Sequence, residues 1–460
     1  MDFFSSMLLV PLVYSLLGAV IFTAIGLVSG SDETATIAPL TLLVVLLGAP
    51  PEGVFAFFMA AAVAKHMAHA IPTALLGIPG DTMAMPLMRE ANLLRALGVP
   101  HIAVRKMVSG AAVAAFVSLP LAVLFAVILS PYADVIKAWS PWIFLCASIV
   151  IAYFSPGRMA SVIALVPFVM VIAALRSFTT AQGTSVNVSY FLGIAVGPLI
   201  ADLVRLMSPV ERAKMRRSDY RTVSLAPDMQ SSGGYLPNPL KVLDSTQTRW
   251  TTAAAVVSSA TFVFSPVAMT VIMGEMVATR AKQAYHRLTS MISVRNGVTE
   301  ATYIAETLIP LIAFGLPLSP VAVGPAAPLF NAPPRFTIDT ATGQINNLHS
   351  MMNVWEFLGY GLLAVAIACL IAYPFAIRFA HRAAKFVMSR VCHEAIIAGF
   401  VGLVVVIGIW EGGMTGLLVT LTMGVIGGFL NRALGFGVGV QCMGFYTAVL
   451  SVPAILAALK

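Results

Sequence analysis

Long apolar runs separated by short polar intervals dominate the chain. The runs at 7–28, 107–130, 251–278 and 354–378 are each long enough to cross a hydrocarbon core, which takes about 20 helical residues. Shorter apolar runs lie at 37–47, 54–64, 141–154, 159–175, 190–206, 396–410, 414–429 and 441–459. At that length per crossing, the pattern predicts an all-α polytopic membrane protein with roughly ten to twelve transmembrane helices. Only one polar interval is long. Residues 207–249 carry Arg212, Lys214, Arg216, Arg217 and Arg221, followed by "SSGGYLPNP". This basic charge marks a cytoplasmic linker between a first membrane repeat at 1–206 and a second at 250–460.

One apolar run breaks its own rule. The stretch "IPTALLGIPGD" at 71–81 places two prolines, two glycines and a carboxylate inside a hydrophobic segment. Proline lacks an amide hydrogen and clashes with the preceding turn, so a helix should stop there. A partner lies in the second half, "IPLIAFGLP" at 309–317. Pro72 matches Pro310, Gly77 matches Gly315 and Pro79 matches Pro317, all at one offset. A weaker echo pairs "IAYFSPGRMASVIALV" at 151–166 with "IGIWEGGMTGLLVTLT" at 407–422. Helix breakers recurring in one order point to duplication.

Charge bias suggests that the copies are inverted. Arg89, Arg95, Arg105 and Lys106 follow the first motif, whereas the interval 331–350 after the second has only Arg335 against Asp339. One helix later the bias reverses, from Asp134 and Lys137 to Arg378, Arg382, Lys385 and Arg390. Equivalent loops of opposite bias belong on opposite sides of the membrane. Residues 279–295, with Arg280, Lys282, Arg287 and Arg295, also look cytoplasmic. Run 251–278 must then turn back, near Pro266 and Gly274. The expected fold is thus two inverted repeats, each with a discontinuous or re-entrant helical hairpin.

Non-helical backbone at membrane depth must be buried in protein or line a watery cavity. Two hairpin tips that meet would present amide groups to an anion and carbonyls or polar side chains to sodium or a proton. The first tip supplies Gly77, Pro79, Gly80, Asp81 and Thr82, and the second Gly315, Pro317, Ser319 and Pro320. Gly80 can admit close approach to the backbone. Asp81 reads equally as a helix N-cap or as a cation-coupling carboxylate. Glu306, just before the second tip, is a second coupling candidate or a structural contact. His66 and His69 share a helix face and read first as hydrogen-bonded or interfacial contacts, with a proton relay as the alternative. Asp202 and Glu275 read as loop-end or structural charges.

Composition narrows the classes. The chain is 59% hydrophobic and 10% charged, with a mean hydropathy of +0.92, too apolar for a soluble domain. The net charge of +8 fits positive loops rather than nucleic acid. The run at 7–28 lacks the basic flank and cleavage site of a secretory signal and reads as a retained helix. Cys146, Cys369, Cys392 and Cys442 are scattered without metal spacing. No HExxH site occurs, and the glycine-rich stretch 424–439 lacks the Lys-Ser/Thr pair of a phosphate loop. No cofactor or metal is expected.

The segment "GIPGD" after a proline-containing apolar helix resembles the glycine–proline motif of the tripartite tricarboxylate transporter large subunit, the TctA family. The second copy departs from the family pattern, since Leu318 follows Pro317. The resemblance implies a permease for small carboxylates in the bacterial inner membrane, driven by a sodium or proton gradient. It also implies a small membrane subunit and a periplasmic solute-binding protein as partners, with surrounding lipid, and leaves a homodimer open. Carried over by it are Gly77, Pro79, Gly80, Asp81, Gly315, Pro317 and Ser319. The rival reading is an intramembrane aspartyl protease, because "PGD" resembles a glycine–aspartate active site. That chemistry needs two carboxylates sharing a proton, and Asp202 is the one other aspartate in an obvious apolar run.

Overall fold

The computed structural model describes residues 2–29, 32–183, 186–215, 225, 236–263, 266–330, 347–391 and 393–459. Helix accounts for the regular structure throughout, and there is no strand among the described residues. The linker arginines Arg216, Arg217 and Arg221, most of "SSGGYLPNP", and Arg335 and Asp339 lie outside the described residues.

Among the described residues, seven helical stretches are long and apolar enough to cross a membrane. They are fewer than the expected ten to twelve for physical reasons. The 55-residue stretch Pro100–Phe154 contains two helices, Pro100–Leu129 and Ala133–Phe154, hinged at Ser130–Tyr132. The run 251–278 splits into Ser245–Ala260 and Pro266–Ala278, so the expected break falls before Pro266. At 1.5 Å per residue neither piece spans the core alone. The central helix Ala284–Ile309 carries Arg295, Glu300 and Glu306 and is too polar to qualify.

Two hydrophobic cores organise the molecule. The larger joins Asp2–Ile25, Pro51–Ala68, Pro100–Leu129, Ala284–Ile309 and Val354–Arg378. The smaller joins Ala133–Phe154, Met159–Ala181, Asn187–Met207, the segment 414–434 and Val438–Tyr446. Each core draws on both halves of the chain. The echo noted at 151–166 and 407–422 corresponds to two tight helical turns. Helix reverses at Gly412–Gly413, where Gly413 has φ 59 and ψ −137. Arg158, between Ala133–Phe154 and Met159–Ala181, adopts nearly the same backbone, φ 47 and ψ −123.

Within the larger core, the two proline-containing helices sit apart from the periphery. Every residue of the spanning window in Pro51–Leu76 is buried, whereas only 22% of the window in Ala398–Leu434 is. Ala284–Ile309 is buried continuously from Thr289 to Ile309. The helices that carry the breaks therefore pack against protein, not lipid.

Candidate functional site

Both interrupted helices break in the same way. Pro72 and Pro310 each open a single π turn, Pro72–Leu76 and Pro310–Phe314, as expected where a missing amide lets the ladder slip by one residue. Each turn ends on a glycine in left-handed backbone, Gly77 at φ 68 and Gly315 at φ 63. A side chain there would be strained. The chain then crosses to a new helical turn through an N-cap, Asp81 in one copy and Ser319 in the other. Asp81 accepts from the Ala84 amide at 2.9 Å, and the Ser319 hydroxyl accepts from the Ala322 amide at 3.1 Å.

Backbone groups freed by the breaks are satisfied by the protein. The Ser29 hydroxyl donates to the Pro79 carbonyl at 2.7 Å and Arg95 donates to the Leu76 carbonyl at 2.8 Å. In the second copy the Asn347 amide donates to the Gly315 carbonyl at 2.8 Å. The Val321 amide donates to Glu306 Oε2 at 3.1 Å, and the Ser319 hydroxyl donates to the Glu306 backbone carbonyl at 2.6 Å. The amides of Ala84, Val321 and Ala322 thus hold the protein's own oxygen atoms.

A cavity of about 460 Å³ lies between the tips. The first tip lines it with Thr82, and the second with Pro320 and Val321. Asp32 and Glu33 form part of the wall, and the ion pair Asp202–Arg432 another part. Gly77, Pro79, Gly80, Gly315, Pro317 and Ser319 are not among the lining residues. Gly80 is packed against His69, whose Cβ lies 2.6 Å from the position a Cβ on Gly80 would take. Gly77 faces Asn92 and Arg95, and Gly315 faces Asn347 and His349. Burial holds the His349 imidazole below its ordinary range, aided by the Lys137 charge.

Beneath the cavity, at the first tip, is a buried charge network. Lys65 Nζ lies 3.3 Å from Glu33 Oε1 and 3.2 Å from Asp81 Oδ2. His69 Nδ1 lies 3.0 Å from Asp81 Oδ2, and its Nε2 lies 2.8 Å from Asn296 Oδ1. His66 Nδ1 meets Glu300 Oε2 at 3.1 Å, and its ring stands edge-on to Tyr303. The Thr82 hydroxyl donates to Glu33 Oε2 at 3.2 Å. Lys65, His66, His69, Asp81 and Glu300 have fully buried side chains. Asp81 is therefore both a cap and an ion-pair partner. The histidines are hydrogen-bonded contacts, and neither is interfacial.

Sequence reasoning passed over Glu33, Lys65, Asn296 and Glu300. A signal existed, because a lysine in "AAAVAKHMAHA" and a glutamate in "GVTEATYIAE" are costly within apolar helices. Arg295 corrects the reading of 279–295 as a cytoplasmic loop. Helix begins at Ala284, and Arg295 is buried, paired with Glu90 and, at 2.7 Å, with Glu275. Unpaired, a guanidinium at that depth would be prohibitively costly. Asp202 and Glu275 hold structural ion pairs, as expected. The second tip places Glu306 fully buried with Oε1 lacking a hydrogen-bond partner.

A family model described as the tripartite tricarboxylate transporter TctA family matches residues 12–438. The chain belongs to that family. Neither a curated protein nor a solved structure matches it.

Proposed function

We propose that this transporter-family subunit is the permease that moves a small organic anion, a di- or tricarboxylate, across the bacterial inner membrane. A sodium or proton gradient drives the movement. A small membrane subunit and a periplasmic solute-binding protein complete the system, as the tripartite family implies. The carrying observation is the pair of matched breaks around one cavity. Interrupted helices buried in protein around a cavity are the usual architecture of solute carriers, and about 460 Å³ suits a small solute.

In this reading, 1–206 and 250–460 are inverted repeats joined by a cytoplasmic linker at 207–249, and the two broken segments act as hairpin tips. Thr82 and the turn at Pro320–Val321 contact the anion, with Arg432 as the nearby cation. Gly77, Pro79, Gly80, Gly315, Pro317 and Ser319 hold the tips in shape, and Asp81 and Glu306 serve cation coupling. The protease alternative loses support because Asp202 pairs with Arg432, and Asp81 with Lys65 and His69. No pair of aspartates sharing a proton forms among the described residues.

Reconstitution with the partner subunits into liposomes tests this directly. Radiolabelled citrate, succinate and glutarate should accumulate under an imposed ion gradient and exchange with internal unlabelled carboxylate. Failure of every carboxylate to exchange would remove the transport reading. Gly80→Leu should abolish uptake by forcing the tip away from His69, with a fall in thermal stability, and normal uptake by that variant would remove the tip assignment.

A further inference from the structure

Resting on that transport reading, we infer that the coupling ion is the proton, carried by the buried network Glu33–Lys65–Asp81–His69 at the first tip. Three observations lead there.

The first is hydrogen-bond logic at His69. The Asn296 amide nitrogen donates to the Met107 carbonyl at 3.0 Å, which fixes its amide orientation, because the flipped form would set two acceptors face to face. Asn296 Oδ1 then faces His69 Nε2 at 2.8 Å, so Nε2 carries a hydrogen. The other ring nitrogen faces both Asp81 oxygens, at 3.0 and 3.1 Å. One hydrogen must lie between Nδ1 and Asp81. The His69–Asp81 pair therefore holds one proton more than a neutral imidazole and a free carboxylate.

The second is occupancy. Two carboxylates converging in a buried site would suit sodium, but Lys65 Nζ already stands between Glu33 and Asp81, within 3.3 Å of each. An ammonium fills the place a monovalent metal ion would take.

The third is charge balance and access. Asp32, Glu33, Asp81 and Glu300 face one lysine, His66 and His69. The neighbouring Ala284–Ile309 helix adds Asn296 and Tyr303, and Cys369 of Val354–Arg378 lies within electrostatic reach of Glu300. His66 Nε2 and Glu300 Oε1 are buried without hydrogen-bond partners, and His66 Nε2 stands 3.9 Å from Glu33 Oε1. That unpaired nitrogen is aimed into the network. Glu33 also lines the cavity, so it faces the cavity on one side and Lys65 on the other.

The transfer balances. A proton from the cavity joins Glu33. Lys65 passes one of its protons to the Asp81–His69 pair, at that stage a carboxylate and a neutral imidazole, and takes the one from Glu33, so Lys65 is unchanged and the pair gains the one extra proton it holds in this structure. Release reverses these steps when the cavity faces the other side.

The reconstituted transporter in sodium-free choline buffer, with a pH dye in the lumen, tests the inference. An inward proton gradient alone should accelerate radiolabelled citrate or succinate uptake about tenfold, the usual scale of coupling between two ligands. The lumen should acidify as uptake proceeds, and in Asp81→Asn the acceleration should fall to unity. Uptake driven by sodium alone, without lumenal acidification, would overturn the proton assignment while leaving the transport reading intact. Absence of carboxylate counterflow under all conditions would overturn both. The wild-type gradient measurement decides the matter even where a variant does not fold.

Discussion

The two helix breaks share a backbone and differ in charge. At one constant offset, Pro72 and Pro310 open the π turn, Gly77 and Gly315 end it in left-handed backbone, and Asp81 and Ser319 cap the next turn. The same offset places Tyr303 opposite Lys65, Thr307 opposite His69 and Pro320 opposite Thr82. A geometry repeated while the neighbouring side chains differ is fixed by the shared prolines and glycines. A charge network present at only one copy is a specialisation of that copy. The second tip carries a single buried carboxylate, Glu306, held by the Val321 amide. Around the first gather Lys65, Asp81, His66, His69 and Glu33, with Glu300 reaching His66 from the helix of the second break. The comparison teaches that the two breaks share one backbone course, and that the buried charge network gathers at one of them.

The largest expected effect sharpens that asymmetry. Lys65→Met leaves Glu33 and Asp81 buried without their cation, and breaking such a pair costs about 3–5 kcal/mol. The melting temperature in detergent should fall steeply, or folded protein should be lost. The counterpart Tyr303→Phe removes a buried hydroxyl with no hydrogen-bond partner, so its melting temperature should barely move.

The next effect should be nearly symmetric. Gly77→Ala and Gly315→Ala each force a Cβ into left-handed backbone, costing about 1–2 kcal/mol, and Gly77→Ala should drop thermal stability somewhat further because its Cβ also meets Asn92 and Arg95. A large inequality between them would show that the two breaks are not equivalent.

Smaller again is the cap. Ser319→Ala should cost about 1 kcal/mol, the usual loss for a hydroxyl N-cap. Asp81→Asn retains a capping side chain but loses its charge, so its main effect should fall on the pH dependence of uptake. Unchanged pH and sodium dependence would reduce Asp81 to its capping role. The smallest effect on stability is expected at Arg432→Gln, since the Asp202 pair is partly exposed and such pairs contribute about 0–1 kcal/mol. Its readout is a raised KM for the anion.

Much of this was legible in the residues. The proline–glycine spacing located both breaks to the residue, because the absence of an amide and the tolerance of left-handed backbone are properties of single amino acids. Resemblance to the family rested on the same segment, and the family match spans nearly the whole chain. The number of spanning helices was less legible, because apolar length does not reveal a bend at Ser130–Tyr132 or a polar helix buried in protein.

What the sequence determined by itself was local: apolar length set the helices, and proline and glycine set where two of them stop. Which charges meet was decided only by the tertiary structure. His66 and Glu300 are 234 positions apart, and His69 and Asn296 are 227 apart. Nothing local to Lys65 announces Glu33 or Asp81 as its partners. A buried charge is tolerable only when folding brings it a counter-charge, and chain distance carries no information about which one arrives.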